Sequence, residues 1–136
     1  MKRIVMLLLG ALLAAAPASA ADVQIIANTS VAGELSAADV KDIFLGAKDS
    51  AGGSAVVPVL ATGGPTHDAF LKAYVGKSDQ ALRNHFKSLV FTGKGSMPKA
   101  FASDAEVIRY VASTKGAIGY VSSGAELAGV KKVHVK

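Results

Sequence analysis

Helix start signals alternate with strand-like runs along this chain, and this alternation constrains the fold more than any other feature. The predicted helices start at Ser36, Pro65, Ser78 and Ser103, residue types that favour the first turn of a helix. Apolar or β-rich runs predict strands at residues 23–27, 55–60, 117–121 and 130–135. Strands that alternate with helices predict an α/β domain with a mixed β-sheet flanked by helices.

Residues 1–20 predict an export signal rather than part of the fold. Lys2 and Arg3 give a basic start, residues 4–16 are apolar, and Ala18-Ser19-Ala20 supplies the small-residue cleavage pattern. The apolar run is shorter than the roughly 20 residues that a membrane span needs, and no cysteine follows it as a lipoprotein anchor requires. We expect cleavage after Ala20, no membrane anchor afterwards, a single domain at residues 21–136, and a Gram-negative periplasm as the destination.

Composition excludes several classes of chemistry. The chain has no cysteine, which rules out disulfides, thiol catalysis and cysteine-ligated metals. Its formal net charge is +5, and removal of Lys2 and Arg3 takes away two of those charges. The remaining mild excess favours anions, but no basic run alternates with aromatic residues, so nucleic acid is not an expected partner. The three histidines, at 67, 85 and 134, show no metal-ligand spacing, so no metal or other cofactor is expected.

No catalytic constellation stands out. No nucleophile-elbow motif surrounds any serine. The paired carboxylates, such as Asp104 and Glu106, fall at predicted helix starts, where capping explains them. We therefore expect a binding protein rather than an enzyme.

The best candidate for a binding site is the glycine turn at residues 62–66. It lies between a predicted strand and a predicted helix, where free backbone N–H groups and the helix dipole favour an anion. Gly63 and Gly64 let the backbone approach a ligand closely, and Thr62 and Thr66 add hydroxyl donors. In the alternative interpretation, the glycines only permit a tight connection. The turn has neither the P-loop ending nor the dinucleotide-binding spacing.

Two cationic or titratable residues are further candidates for the same anion. His67 follows the turn directly, and either donates to an anion at the helix start or is an ordinary surface histidine. Lys94 lies between the glycines of the loop at residues 91–96, and either reaches an anion or is simply solvated. Arg83 and Lys87 lie four residues apart and predict a basic, exposed helix face.

Three segments resemble the second lobe of the phosphate ABC-transporter substrate-binding proteins, which are type II periplasmic binding proteins. Residues 35–46 look like the family's helix, which ends in Ile-Phe/Tyr-Leu-Gly. Val56-Val57-Pro58-Val59 looks like the strand before its phosphate loop, and residues 116–121, Gly-Ala-Ile-Gly-Tyr-Val, are similar to a later strand. The chain is long enough for one lobe only. It is more similar still to short, single-lobe relatives, of which Phe91-Thr92-Gly93-Lys94-Gly95 is typical.

The ligand loop departs from the family pattern, in which an arginine precedes an Asp-Gly-Ser-Gly-Thr turn. Here Leu60 stands at the arginine position, Gly64 and Pro65 stand at the Ser and Gly positions, and Thr66 is kept. The resemblance implies one periplasmic-binding-protein-like lobe, secreted, with weak binding of phosphate or another small oxyanion. It also implies an ABC transporter or another envelope protein as partner. The alternative is a protein–protein interaction module, with an envelope partner or as a homodimer, that has lost ligand binding.

Overall fold

The computed structural model describes residues 23–31 and 33–136, so the predicted signal peptide and its cleavage site lie outside the described residues. The helices are α1 (Ala37–Phe44), α2 (Pro65–Phe70), α3 (Asp79–Phe91) and α4 (Asp104–Ser113), and a π-helical turn at Leu71–Val75 continues α2. The strands are β1 (Val23–Ala27), β2 (Glu34–Leu35), β3 (Ser50–Ala51), β4 (Ser54–Ala55), β5 (Val57–Ala61), β6 (Lys99–Phe101), β7 (Ala117–Ser122), β8 (Lys131–Lys132) and β9 (His134–Val135).

Five of these strands form the main sheet, in the order β6-β5-β7-β1-β8. β5 runs parallel to both β6 and β7, whereas β1 is antiparallel to β7 and to β8. The predicted mixed sheet is therefore confirmed. Two small ladders lie outside it: β2 pairs with β9 in parallel, and β3 pairs with β4 in an antiparallel hairpin.

The prediction of one strand over residues 130–135 is wrong. The segment divides into β8, which pairs with β1, and β9, which pairs with β2. Between them the backbone N–H of Val133 still donates to the carbonyl of Ile25 at 2.8 Å, and the Val133 side chain is buried. The chain therefore leaves the main sheet at this residue and joins a second one, which hydrophobicity alone does not indicate.

The predicted helix caps are present. Ser36 Oγ accepts from the Asp39 N–H at 3.0 Å, and the Asp39 carboxylate accepts from the Ser36 N–H, which completes a capping box. Ser78 and Ser103 cap α3 and α4 in the same way through their hydroxyl oxygens. These caps fix where three of the helices begin, and Pro65 occupies the first turn of α2, as predicted.

Apolar side chains cover both faces of the main sheet. On one face, Phe44 of α1 and Phe70 of α2 pack with Tyr120 of β7, and the Phe70 and Tyr120 rings stack with centroids 3.8 Å apart. On the other face, Val107 and Val111 of α4 pack over the sheet. The predicted anion turn follows the carboxyl end of β5, a strand of this sheet that is covered on both faces.

Helical spacing in the sequence predicts that Leu82, Phe86, Leu89 and Val90 form the inner face of α3, and this prediction is correct only in part. Leu82 and Phe86 are buried and Leu89 is half-buried, but Val90 is 49% exposed. Val90 belongs to the last turn of α3, which ends at Phe91, and no neighbouring described element covers it. Helical periodicity predicts which side of a helix faces inward, but not how far the neighbouring layer extends along it.

Candidate functional site

The glycine turn lies at the carboxyl end of the central strand β5. The Thr62 N–H donates to the carbonyl of Phe101 at 3.0 Å, which continues the β5–β6 ladder by one residue. Gly64 then adopts φ 103° and ψ 176°, a conformation that is essentially restricted to glycine. A Cβ placed on Gly63 or Gly64 would have no heavy atom within 4 Å. The turn therefore faces open space, and its backbone is accessible to a ligand.

Thr66 occupies the second position of α2 and does not cap the helix. Gly64 is the N-cap residue, and α2 has no side-chain cap in the described structure. The Gly64 carbonyl accepts from the Asp68 N–H at 3.0 Å, which is the first helical hydrogen bond. The first N–H groups of a helix lack intrahelical partners. Thr66 therefore adds its hydroxyl to a helix start whose donors are not used by a cap.

His67 lies inside the protein, so its interpretation as a surface histidine is wrong. Its side chain is 1% exposed, because α2 packs this residue against β7. Nδ1 lies 2.5 Å from the hydroxyl of Tyr120, and Nε2 lies 2.7 Å from the Asp79 carboxylate. Both ring nitrogens therefore have protein partners, and neither points to a ligand at the turn.

Hydrogen bonds connect Ala61, Tyr120, His67 and Asp79 in series, and the donors among them indicate which atom carries each hydrogen. The Tyr120 hydroxyl oxygen accepts from the Ala61 N–H at 2.9 Å, so its own proton is available for His67 Nδ1. Burial raises the pKa of Tyr120, so the phenol keeps that proton. His67 then carries its hydrogen on Nε2 and donates it to Asp79. One chain of hydrogen bonds thus joins the last residue of β5 to the first residue of α3.

Arg83 extends this connection to the turn itself. Its Nε donates to the Asp79 carboxylate at 2.7 Å, and its Nη2 lies 3.5 Å from the Thr62 carbonyl oxygen. Hydrogen bonds from Arg83, and next from His67, hold the pKa of Asp79 below its usual value. The guanidinium is 43% exposed and has further N–H donors. Arg83 therefore supplies a cation beside the turn, and it also shares an exposed face of α3 with Lys87, as predicted.

Lys94 is far from the turn. It lines a cleft together with Val57 and Pro58, at the amino end of β5, whereas the turn follows the carboxyl end of that strand. β5 has five residues, so its first and last Cα atoms are four steps apart, about 13 Å at about 3.3 Å per residue. The structure therefore brings Thr62, Gly63, Gly64 and Thr66 together, places His67 behind them, and separates Lys94 from the group.

The residue at the family's arginine position is part of the core. Leu60 is 8% exposed and packs in the same cluster as Phe70 and Tyr120. A guanidinium at this position would be buried among apolar groups, which is costly without a paired charge. The cation beside the turn comes from α3 instead.

Sequence reasoning missed Tyr120, Asp79 and Arg83 as neighbours of the turn. The ion pair between Asp79 and Arg83 has i,i+4 helical spacing, and that signal is available in the sequence. The contact between His67 and Tyr120 joins residues 53 positions apart. No local pattern indicates it, because it depends on how β7 and α2 pack together.

Two general features of the described residues bear on the chemistry. Among them, no group of three or more His, Asp or Glu side chains is placed to hold a metal ion. Within the same ranges, the structure contains no helix with the length and apolar character to cross a membrane.

Comparisons with known proteins support the fold. No protein-family model matches the chain, and a search of curated proteins finds no match. Among solved structures, the chain is similar to a protein from Clostridium perfringens described as a phosphate ABC transporter substrate-binding protein with bound phosphate, with a TM-score of 0.62 and 20% identity over 84% of this chain. It is also similar to an ABC-type phosphate transport receptor from Vibrio cholerae, with a TM-score of 0.55 and 13% identity over 84% of this chain.

The present chain spans 44% and 46% of the lengths of those two chains. The predicted fold, a single periplasmic-binding-protein-like lobe with a mixed sheet flanked by helices, is therefore confirmed. At these identities the likeness shows the fold alone.

Proposed function

We propose that the chain is a secreted, single-lobe solute-binding module that binds a small oxyanion such as phosphate at the turn of residues 62–66. One observation carries the proposal: an exposed glycine turn lies at the carboxyl end of the central strand, beside the guanidinium of Arg83. In open α/β sheets, ligands commonly bind at this edge. The module is not an enzyme in this proposal, and it needs no cofactor.

The donors available at the turn suit an oxyanion. In the described structure the N–H groups of Gly63 and Gly64 donate to no backbone acceptor. The Thr66 hydroxyl follows the two glycines in the chain, and the Arg83 guanidinium reaches the carbonyl of Thr62, which precedes them. Backbone N–H groups, a hydroxyl and a guanidinium are the donors that commonly hold phosphate.

The same geometry makes the expected affinity low. Pro65 has no N–H to donate, and Arg83 shares its charge with the Asp79 carboxylate. A single lobe also leaves one side of the ligand in water. We expect a Kd of roughly 0.1 mM or weaker, which corresponds to about 5 kcal/mol.

Phosphate and sulfate should each stabilise the purified protein at low ionic strength, and Arg83→Gln should remove most of that effect. The guanidinium is a cation in contact with the turn, and Arg83→Gln replaces it at that contact by a neutral group. Lys94→Gln is the matched control, because Lys94 lies at the other end of β5 and should leave the response unchanged. Calorimetry and thermal melting at several millimolar anion measure both variants.

Two outcomes contradict this proposal in different ways. Absence of both heat and thermal shift in the wild-type protein rules out oxyanion binding at these concentrations. A wild-type response that disappears in Lys94→Gln but survives in Arg83→Gln places the anion in the cleft at the amino end of β5.

Thr66→Ala separates a ligand role from a structural one. Because Thr66 caps nothing in α2, the substitution should change the free energy of unfolding by less than about 0.5 kcal/mol, below the cost of losing a typical cap. It should nevertheless reduce the stabilisation by phosphate, because the hydroxyl is one of few donors at the turn. Chemical denaturation with and without phosphate measures both quantities. An unchanged phosphate response would show that the anion does not contact Thr66.

The proposal includes export and a partner. We propose that the signal at residues 1–20 is removed in the periplasm, so that Ala21 becomes the first residue; sequencing the amino terminus of exported protein tests this. We further propose that a bound oxyanion passes to an ABC transporter or another envelope protein. The two solved structures named above support this proposal, since both are described as phosphate transport proteins.

A further inference from the structure

A cleft of about 280 Å³ lies at the amino end of β5, and the proposed anion site does not use it. Residues that follow α1, residues at the end of α3 and the first residues of β5 line it. His85 Nε2 of α3 lies 2.6 Å from the carbonyl oxygen of Leu45, which ends α1. These two residues adjoin Phe86 and Gly46, which line the cleft. A hydrogen bond between the two helix ends therefore supports the cleft.

Two glycines of the lining allow the loops to approach α3 closely. A Cβ on Gly46 would lie 2.9 Å from Cδ1 of Leu89, and a Cβ on Gly95 would lie 3.4 Å from the Leu89 Cβ. Leu89 lines the cleft together with both glycines. A side chain at either glycine would therefore take up space beside Leu89, at the wall of the cleft.

This wall offers apolar surface to a ligand. Leu89 and Pro58 are half-buried and Val57 is 41% exposed, so part of each remains accessible in the lining. The volume of the cleft is slightly below the roughly 300–1,000 Å³ typical of sites for drug-sized ligands. The cleft therefore suits a small ligand with a short apolar side chain.

One charge of each sign lines the same cleft. Asp49 and Lys94 are both exposed, and they belong to different loops. Within the described ranges, neither of them forms an ion pair. Lys48 also lines the cleft, but it pairs with Asp39 at 2.6 Å. The lining therefore presents one carboxylate and one ammonium group without a charged partner, next to an apolar wall.

We propose that this cleft binds a small zwitterion with an apolar side chain, of which a free apolar α-amino acid such as leucine is the simplest example. Its carboxylate would accept from the Lys94 ammonium, and its own ammonium would donate to the Asp49 carboxylate. Hydrogen bonds between charged groups are stronger than those between neutral ones. The apolar side chain of the ligand would pack on Leu89 and Pro58, where its removal from water favours binding.

Other classes of ligand match the lining less well. A simple anion would face the Asp49 carboxylate, and a simple cation would face the Lys94 ammonium. An uncharged apolar ligand would take water from both charged groups and return no hydrogen bond, which is costly. The cleft and the anion turn lie at opposite ends of β5. The proposal for the cleft therefore does not depend on oxyanion binding at the turn.

Titration of the purified, ¹⁵N-labelled protein with L-leucine, followed by nuclear magnetic resonance, tests the site and its location together. We expect the backbone amide signals of Gly46, Gly95 and Ser96 to shift, because these residues line the cleft. The signals of Gly63 and Gly64 should stay in place. Phosphate should give the reverse pattern if it binds at the turn, so the two proposals can fail separately.

Analogues that lack one charge provide the matched comparison. Asp49→Asn should weaken leucine binding roughly three-fold or more, as loss of an exposed ion pair can, but should not weaken binding of isocaproate, which lacks the ammonium group. Lys94→Gln should weaken leucine binding similarly, but not binding of isoamylamine, which lacks the carboxylate. Lys132→Gln is the control, because that exposed lysine lies on β8, at the other edge of the main sheet.

Three outcomes would overturn the proposal. One is the absence of shifts at Gly46, Gly95 and Ser96 near the solubility limit of leucine. Another is equal affinity of the wild-type protein for leucine, isocaproate and isoamylamine, which would make the cleft an apolar site without charge recognition. The third is unchanged leucine binding in both Asp49→Asn and Lys94→Gln. Both residues are exposed, so these variants should keep their fold, which a thermal melt verifies.

Discussion

Gly116→Ala should destabilise the protein by about 3 kcal/mol or more, which would be a large share of the stability of a small domain. Gly116 joins α4 to β7 with φ +81°, and a left-handed conformation costs other residues roughly 1–2 kcal/mol. In addition, a Cβ at this position would lie 2.5 Å from the backbone carbonyl oxygen of Ala55. That oxygen is part of the main chain and cannot move aside as a flexible side chain would.

Gly76→Ala is the matched control for this prediction. Gly76 has a similar φ of +75°, but a Cβ there would meet nothing within 4 Å. Its cost should be limited to the conformational penalty of roughly 1–2 kcal/mol. Urea denaturation followed by circular dichroism compares the two variants. Equal costs would mean that the close approach of Gly116 to Ala55 contributes nothing.

The packing of Gly116 also explains one sequence motif. Gly116 begins the segment Gly-Ala-Ile-Gly-Tyr-Val, which contributed to the family resemblance. Its carbonyl accepts from the Val57 N–H at 2.8 Å, and its N–H donates to Ser30 Oγ at 3.0 Å. The glycine therefore lets β7 approach the start of β5 closely. Such packing explains why a glycine is needed at the start of this strand.

Local sequence patterns predict the four helices and the three longest strands, but not the short strands such as β6. A cap depends on a few adjacent residues, so Ser36, Ser78 and Ser103 could be placed at helix starts without knowing what surrounds them. The buried run of β1 and the Pro65 start of α2 are local in the same sense. The order of strands in the sheet is not local, because it depends on which strands pair across the whole chain. Alternation of strands and helices indicated a mixed sheet but not that order.

The candidate site could be predicted only in part, for the same reason. The glycine turn is continuous in sequence, and residues 62–66 could be identified together. His67 and Lys94 could not be assigned, because burial and distance depend on tertiary packing. His67 is enclosed by partners from β7 and α3. Lys94 follows α3 and lies near the amino end of β5, whereas the turn follows the carboxyl end of that strand.

His67→Ala should lower the free energy of unfolding by about 3 kcal/mol, the second of the two large effects that we expect. The substitution leaves a cavity and removes the partner of the Tyr120 hydroxyl in the interior. An unpaired buried polar group costs about 1–3 kcal/mol, and lost packing adds to that. Asp79→Asn is the matched control, since an amide oxygen can still accept from His67 Nε2. It should cost at most about 1 kcal/mol, because Asp79 is partly exposed and solvent screens its charge.

The pH dependence of stability should distinguish wild-type protein from Asp79→Asn. The pKa of Asp79 is lowered in the folded protein, so its contribution to stability is present above the unfolded value of about 3.8. That contribution is lost as the pH falls from there through the lower folded value. Asp79→Asn should therefore lose less stability than wild-type protein in this acid range. Identical acid profiles would mean that Asp79 gains nothing from Arg83 and His67.

A double-mutant cycle decides whether the buried hydrogen bonds, rather than bulk alone, hold the turn in place. Tyr120→Phe removes only the hydroxyl, which leaves the Ala61 N–H and His67 Nδ1 without their partner. The cycle combines Tyr120→Phe with His67→Ala. If Tyr120 and His67 act through their hydrogen bond, the double variant should lose less free energy of unfolding than the sum of the two single losses, by about 1 kcal/mol. Each single variant should also weaken the stabilisation by phosphate, because Ala61 and His67 lie directly on either side of the turn. If the two losses of stability are additive and the phosphate response is unchanged, these hydrogen bonds contribute nothing beyond core packing and do not position the turn.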